Sequence, residues 1–357
     1  MKCRRCGREY RGFKITCECG GLLSLEVDIK GSFSDFIRSE YQDARRYLDV
    51  LPLDKKHVPS LIYPVTPVVK KSIGGVDLVF KAEYLMPSGS FKDRGTFLSV
   101  AILKKVGIKD ISLDSSGNAG ISFSMYGVSE GIRVHVFIPK NTPKGKKDFL
   151  RVLGAIVHVV DGDREVTHSV AINNPHGLYV GHWYNPFFVE GIKTMAFEAY
   201  EQIGTPDYVI VPVGSGTIFL GLYYGFKTLF DLGEVDEVPR MVAVQASGYE
   251  SLCEKKSEER SILADGIAIR NPPRIDEMRE ALKETRGTCV VVSDGEIKEA
   301  LRELYGMGFI VEPTSAVSYA AFKILLREGI IEKGRKVLLP LTGSGLKVLE
   351  SILKILK

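Results

Sequence analysis

PSGSFKDRG, residues 87–95, is the stretch from which the architecture of this chain can be worked out. It lies between an apolar run, VDLVFKAEYL, and a helical pattern, FKDRGTFLSVAILKKVG. Lys92 would stand in the first turn of that helix, with Ser90 able to act as N-cap and Asp93 at capping-box spacing. A fixed cation opposes the macrodipole at a helix N-terminus, so this lysine indicates a chemical role rather than an ordinary surface charge.

Strand-like and helix-like segments alternate from residue 76 onward. Apolar runs such as RVHVFIP, DYVIVPVG and KVLLPLTG predict strands, and the segments between them predict helices. This alternation predicts an α/β fold with two doubly wound domains and mostly parallel sheets. We expect a small knuckle in residues 1–28, a large domain of residues 29–75 and 191–357, and a smaller α/β domain of residues 76–190. Residues 29–60 are expected to be helical.

Composition excludes several classes of partner. The 357 residues carry a formal net charge of only +4, which gives no reason to expect binding to nucleic acid or to a membrane surface. The N-terminus, MKCRRCGREY, has no apolar signal region, and no stretch is apolar enough to span a bilayer. These features predict a cytoplasmic protein without a nucleic-acid or membrane partner.

Four of the six cysteines are crowded into the first nineteen residues, as Cys3, Cys6, Cys17 and Cys19. Two glycine-containing turns, CRRCG and CECGG, carry them in pairs, and four thiolates on two turns suit tetrahedral zinc. The spacing predicts a closed, structural zinc site with four cysteine ligands, the alternative being four incidental reduced thiols. Cys253 and Cys289 stand apart and are expected to be core residues.

Three glycine-rich loops follow predicted strands: DSSGNAG (114–120), VGSGT (213–217) and LTGSG (341–345). A glycine-rich loop that opens a helix can bind an anion through free backbone N–H groups. The second loop has neither the P-loop pattern nor the dinucleotide fingerprint, so it suits a single phosphate, although an ordinary strand–helix turn would look the same. Together with Lys92, the three loops predict a pyridoxal phosphate site, with Lys92 bound covalently to the cofactor.

The motifs PSGSFKDRG, SSGNAGIS, VPVGSGT, LADGI, VEPTSAVS and LTGSGLK resemble those of the threonine synthase family, in the same order. That family belongs to the fold type II, tryptophan-synthase-β-like pyridoxal phosphate enzymes, and the cysteine knuckle is similar to that of its archaeal members. The resemblance implies that Lys92 is the catalytic lysine and that Asn118 bonds the cofactor's 3′-oxygen. It implies a phosphate cradle of Gly214, Ser215, Gly216, Thr217 and Ile218, with Thr342 facing the ring nitrogen. It further implies substrate contacts from Ser90, Ser115, Ser116 and Ala119.

The implied reaction converts O-phospho-L-homoserine and water into L-threonine and phosphate. One departure from the family pattern leaves alternatives open: Phe188, in WYNPFFVEGIKT, occupies the place of an arginine that helps the family hold the substrate phosphate. Lys81, Lys193 or the lysines of PKNTPKGKK could compensate, although a solvated surface position is expected for each.

A threonine or serine dehydratase, or a β-replacement enzyme acting on O-phosphoserine, would suit the same scaffold without that arginine. A zinc-ribbon binding protein with a vestigial catalytic domain is a third alternative. By analogy with fold type II enzymes, we expect a homodimer.

Overall fold

The structure is a computed structural model that describes residues 1–25, 27, 29, 31–174 and 176–357. The chain forms two compact units. The first unit comprises Met1–Pro64 and Lys92–Ile192, and the second unit comprises Val65–Phe91 and Lys193–Lys357. Residue 28, where the predicted knuckle ends, lies outside the described residues.

The strands are, in chain order, β1 Lys2–Cys3, β2 Leu23–Ser24, β3 Val68–Ile73, β4 Val76–Lys81, β5 Asp110–Leu113, β6 Arg133–Pro139, β7 Ile156–Val160, β8 Leu178–Tyr179, β9 Tyr208–Pro212, β10 Arg240–Ala246, β11 Thr288–Val292 and β12 Lys336–Pro340. The α-helices are α1 Lys92–Lys105, α2 Asn118–Ser129, α3 Lys144–Val152, α4 Arg164–Ile172, α5 Pro186–Ile192, α6 Thr194–Ile203, α7 Thr217–Asp231, α8 Ile275–Glu284, α9 Asp294–Gly306, α10 Pro313–Arg327 and α11 Leu349–Leu356.

The prediction that residues 29–60 are α-helical is wrong. In the described part of this segment, residues 29 and 31–60, the helical elements are short 3₁₀ turns, Phe33–Phe36, Ala44–Val50 and Lys55–His57. Asp43 and Asp54 each accept a hydrogen bond from a backbone N–H two residues further on. Such local side-chain bonds give the backbone an alternative to the α-helix.

The second unit is built on a six-stranded sheet with the order β11-β10-β9-β12-β4-β3. Its neighbouring strands are parallel, except that the edge strand β3 runs antiparallel to β4. β9 is buried along its whole length, as expected for a parallel strand covered on both faces. The carboxyl ends of β4, β9 and β12 therefore meet at one edge of the sheet, where ligands bind in open α/β folds.

The first unit has a parallel four-stranded sheet with the order β7-β6-β5-β8, together with the two-stranded β1–β2 sheet near the N-terminus. The mostly parallel α/β fold is thus confirmed.

The predicted domain boundaries differ from the observed units at two places. Residues up to Pro64 belong with the first unit, because Ile15 and Leu51 pack into one apolar cluster with Leu98 and Ile102 of α1. β4 belongs with the second unit, because its backbone bonds to β12 and β3. Sequence alternation marks the elements but does not show which sheet each one joins.

Candidate active site

Two of the three glycine-rich loops leave the same edge of the six-stranded sheet. β9 and β12 are parallel hydrogen-bonded neighbours, and residues 213–217 and 341–345 follow their carboxyl ends. The segment after β4 returns to this edge, where Ser90 forms a backbone bridge with Gly343 and the Phe91 N–H donates to the Thr342 carbonyl at 3.0 Å. Phe91, which directly precedes Lys92, is therefore hydrogen-bonded to Thr342.

The loop 214–218 has the properties of a phosphate cradle. Gly216, the N-cap of the fifteen-residue helix α7, has φ +84°, and a Cβ there would meet the Met278 sulfur at 2.5 Å. The buried Ser215 and Thr217 hydroxyls lie 3.4 Å apart. Because glycine has no side chain to cap the first turn, the N–H groups of that turn and these two hydroxyls form a donor set suited to an anion. Ile218 is buried and adds only its backbone N–H.

Thr342 is a buried hydroxyl held by its neighbours. Its Oγ1 lies 3.0 Å from the Ser315 hydroxyl, and the Gly343 N–H donates to that same Ser315 oxygen at 2.9 Å. Thr342 and Ser315 are 1% and 0% exposed, so the hydroxyl is shielded from water. The group at this position is neutral, and it can share a hydrogen bond with an unprotonated ring nitrogen without supplying negative charge.

In the first unit, the starts of α1 and α2 lie side by side. The Ser122 hydroxyl, one turn into α2 from Asn118, donates to Asp93 at 2.6 Å, and Asp93 directly follows Lys92. The first turn of α1, which begins at Lys92, therefore contacts the second turn of α2, which begins at Asn118. α1 begins at Lys92, so Phe91 occupies the N-cap position and Ser90, expected there, lies one residue earlier.

The Ser-Gly-Asn loop turns sharply at the carboxyl end of β5. Gly117 is the N-cap of α2, and a Cβ on Gly120 would meet the Ser115 carbonyl at 1.9 Å. The close approach folds Ser115 and Ser116 over the first turn of α2, where Ala119 is buried. The two serines, half-buried, offer hydroxyls and backbone donors beside the start of the helix.

Phe188 is fully buried and fills a space close to Lys92. Its ring lies against Gly95, where a Cβ would meet ring carbons at 2.6 Å, and Gly95 is three residues after Lys92 on the same helix face. The Phe123 ring lies 6.0 Å away and the His182 ring 5.4 Å away, between centroids. The position that Phe188 occupies is therefore apolar and closed.

His182 lies beside Phe188, and no pattern in the sequence assigned it a role. Burial lowers the pKa of His182 well below its usual range, and the positive charges of Lys92 and Arg164 lower it further. The imidazole is therefore neutral near pH 7 and keeps one N–H donor. Only the polar-aromatic character of NNPHGLYVGHWYNP pointed to this segment.

Lys81, one of the lysines considered as a substitute for the arginine missing at position 188, is not solvated. Its side chain is 0% exposed and forms an ion pair with Glu198. It also donates to the Thr66 carbonyl at 2.7 Å and to the Gln202 side chain at 2.9 Å. The expectation of a surface position for Lys81 is wrong, and its charge is already neutralised within the second unit.

The N-terminal cysteines form a compact group. The sulfur of Cys6 lies 3.6 Å from those of Cys17 and Cys19, and the Cys3 sulfur lies 3.6 Å from that of Cys19. The Tyr10 hydroxyl, 3.0 Å from the Cys17 sulfur, lowers the pKa of Cys17 to about 6. Cys17 in turn raises the pKa of Cys19 to about 12. Ionisation of one thiol thus opposes ionisation of its neighbour.

Two further groupings were not visible in the sequence. Cys253 and Cys289, expected as separate core residues, form a disulfide, although Cys253 is indeed buried. His135 and His158, on the neighbouring strands β6 and β7, lie 2.9 Å apart between Nδ1 and Nε2, and His176 stacks on both. Sequence spacing showed no relation among the histidines because the strands bring them together.

The family model for the pyridoxal-phosphate dependent enzymes matches residues 60–343. Among curated relatives, a threonine synthase of Methanocaldococcus jannaschii is 34% identical, over 97% of this chain and 92% of that protein. A threonine synthase of Methanosarcina acetivorans is 29% identical, over 99% of this chain and 94% of that protein.

Solved structures support the fold. The processed form of threonine deaminase isoform 2 from Solanum lycopersicum superposes with a TM-score of 0.71 at 19% identity, over 93% of this chain and 98% of that one. Maize serine racemase superposes with a TM-score of 0.69 at 21% identity, over 82% of this chain and 92% of that one. Within the described part of the chain, helices long and apolar enough to cross a membrane are absent.

Proposed function

Because the chain belongs to the pyridoxal-phosphate dependent enzymes, and within them to the threonine synthase family, we propose that it converts O-phospho-L-homoserine and water into L-threonine and phosphate. The observation that carries this proposal is the 34% identity to a threonine synthase across 97% of the chain. The test is to incubate the purified protein with O-phospho-L-homoserine and to identify the products. Threonine and phosphate in equal amounts would support the proposal, and an unchanged substrate would refute it.

The residues present fit pyridoxal phosphate. Gly214, Ser215, Gly216, Thr217 and Ile218 would hold its phosphate through the free N–H groups and hydroxyls at the start of α7. Lys92 would bind it covalently, Asn118 would bond its 3′-oxygen and Thr342 would contact the ring nitrogen. When bound, this cofactor supplies an electron sink that allows the Cα proton of an amino acid to be removed.

Lys92 is the proposed base. Its amine would take the proton from Cα of the substrate and later a proton from Cβ, before phosphate leaves from Cγ. Cγ would then take up a proton to become the methyl group, water would add at Cβ with loss of a proton, and Cα would regain a proton. One amine can serve several proton transfers because the positions concerned are neighbours on one substrate side chain. Lys92→Ala should abolish product formation and leave the secondary structure intact.

Substrate orientation is assigned to the Ser-Gly-Asn loop. Ser115, Ser116 and Ala119 would hold the substrate carboxylate with hydroxyl and backbone donors, and Ser90 would also contact the substrate. Thr342, held by Ser315, would keep the ring nitrogen unprotonated. A hydroxyl there favours elimination and replacement over transamination, since a carboxylate would stabilise a protonated, stronger electron sink.

The buried ring of Phe188 favours a second candidate function. A dehydratase acting on threonine or serine, or a β-replacement enzyme acting on O-phosphoserine, would need no arginine at that position. Offering L-threonine, L-serine and O-phospho-L-serine separately tests this candidate. An oxoacid with ammonia from the first two, or replacement of phosphate in the third, together with inert O-phospho-L-homoserine, would favour it over threonine synthase.

We also propose that Cys3, Cys6, Cys17 and Cys19 bind a structural zinc ion. Sulfur atoms at about 2.3 Å from a tetrahedral zinc ion lie about 3.8 Å from one another, close to the separations of 3.6 Å in this cluster. All four sulfur atoms lie within 4.8 Å of one another, so a single ion can contact the whole set. Metal analysis of the purified protein tests this assignment, and a protein that folds without zinc would refute it.

A homodimer in the cytoplasm is the expected assembly and location. The oligomeric state can be measured by sedimentation equilibrium, in which a monomer would contradict the expectation. Fractionation of the source cells tests the location.

A further inference from the structure

The substrate of the proposed reaction carries a phosphate dianion that must be bound at the far end of its side chain from Cα. Phosphate is best bound by a guanidinium, which can donate two parallel hydrogen bonds. Phe188 cannot donate, and Lys81 is buried against Glu198. Lys193, also expected at a solvated surface position, is only 8% exposed, so that expectation is wrong as well. A cation of the first unit can serve in place of these lysines.

A continuous series of contacts within the first unit leads from Lys92 toward such a cation. Gly95 lies on the same face of α1 as Lys92, and the Phe188 ring lies directly against it. The His182 ring is 5.4 Å from Phe188 between centroids. His182 is thus a neighbour of Phe188, and the charge of Lys92 acts on its ring.

The series ends at an arginine. The His182 ring lies 6.1 Å from that of Trp183, and the Arg164 guanidinium carbon lies 5.3 Å from the centroid of the same indole. A cation–π contact restricts the position of a guanidinium, so the group has less conformational freedom to lose when it binds an anion. Arg164 is exposed, so a ligand can reach it from solvent.

We propose that Arg164 binds the phosphate group of the substrate, in place of an arginine at position 188, with the Trp183 ring holding the guanidinium in position. This assignment rests on the proposed function for the identity of the substrate.

Charges around His182 agree with the assignment. The pKa of His182 is held low by burial and by the cations Lys92 and Arg164, so both positive charges act on the same ring. An anion beside that ring would be attracted by both and could accept the His182 N–H.

The local helix adds to this attraction. Arg164 is the first residue of α4, a nine-residue helix whose N-terminus carries partial positive charge. The neighbouring carboxylate of Asp163 is engaged as the N-cap and accepts from the Val166 N–H at 2.9 Å. Glu165, the next acidic residue in the first turn, is exposed.

Trp183 gives a direct readout, because it is the single tryptophan of the chain. The holoenzyme, with its cofactor cradle filled, is titrated with inorganic phosphate while tryptophan fluorescence is recorded, with chloride at matched ionic strength as the anion control. We expect a saturable change with phosphate that Arg164→Gln abolishes. Arg151→Gln, on α3, is the matched control, since Arg151 is exposed and pairs with Asp148. Equal titrations for the two variants would overturn the proposal.

Steady-state kinetics provide the second measurement. Arg164→Gln should raise KM for O-phospho-L-homoserine about tenfold to a hundredfold, the loss expected for one charged hydrogen-bonding partner, with a smaller effect on kcat. Arg164→Lys should lie between this variant and the wild type. Binding of L-homoserine, which lacks the phosphate, should be the same in all of them. An unchanged KM in Arg164→Gln would overturn the proposal.

The two proposals fail in different ways. If the wild type leaves O-phospho-L-homoserine unchanged, the proposed function fails, and an Arg164-dependent response of Trp183 to phosphate would still support an anion site there. If the wild type makes threonine but Arg164→Gln has an unchanged KM, the function stands and the role of Arg164 is refuted.

Discussion

Removing the buried charge of Lys81 should destabilise the second unit strongly. Lys81 and the carboxylate of Glu198 have side chains only 0% and 1% exposed. The same Glu198 oxygen accepts the Thr66 N–H at 2.6 Å, and the Lys81 amine donates to the Thr66 carbonyl and to Gln202. Lys81→Met would leave a buried carboxylate without its cation, at a cost of about 3–5 kcal/mol in free energy of unfolding. For a unit of this size, that corresponds to a fall in Tm of roughly 6–20 °C.

The assay is equilibrium unfolding in urea together with calorimetry, on the single variants and on the pair. Lys81→Met with Glu198→Leu should recover most of the loss, because replacing a whole buried ion pair by apolar groups is neutral or stabilising. The control is Lys227→Met, which removes an exposed pair with Asp231 and should cost no more than about 0.5 kcal/mol. A Lys81→Met variant within about 1 kcal/mol of the wild type would refute the reasoning. So would a double variant as unstable as the single one.

Three further outcomes are expected. Cys17→Ser, or treatment with a strong chelator, should release zinc and lower the Tm of the first unit, and an unchanged Tm would contradict a structural metal. Burial lowers the pKa of both His135 and His158 from 6.5. Below about pH 6.5 the unfolded chain therefore binds more protons than the folded chain. The free energy of unfolding should stay constant above about pH 6.5 and fall as the pH drops below it. His135→Gln should flatten that fall, as measured by urea unfolding at pH values of about 5 and about 7.5. Gly95→Ala should cost about 1–3 kcal/mol, because its Cβ would overlap the Phe188 ring, and Phe188→Leu in the same chain should relieve most of the loss in urea titrations.

Local features of the chain were sufficient to predict apolar strands such as β6, β9 and β12 and the loops at the carboxyl ends of β9 and β12. β9 is an unbroken apolar run in the sequence because both of its faces are covered in the fold. The loops after β9 and β12 were predicted to serve one site because parallel strands place their carboxyl ends at one edge, and the two strands are indeed neighbours. Both predictions needed only short-range sequence and the geometry of parallel sheets.

Features that depend on long-range pairing could not be predicted in this way. Cys253 and Cys289 are joined because the loop after β10 returns to β11, and the sequence does not encode that return as a spacing. The assignment of β4 to the six-stranded sheet depends equally on its partner β12, which lies more than two hundred residues further along the chain.

Phe188 and Arg164 illustrate both sides of this limit. The absence of the arginine could be recognised from the sequence, because the surrounding motif of the family has an arginine at the position of Phe188. A replacement cation could not be found in the same way, because nothing in the letters around Arg164 separates it from other exposed arginines. What distinguishes Arg164 is its position over the Trp183 ring and its charge acting on His182 together with that of Lys92. When a motif loses a charged residue, a cation from another element of the fold can take over its role. In this chain, the cation that we propose for that role is Arg164, at the start of α4.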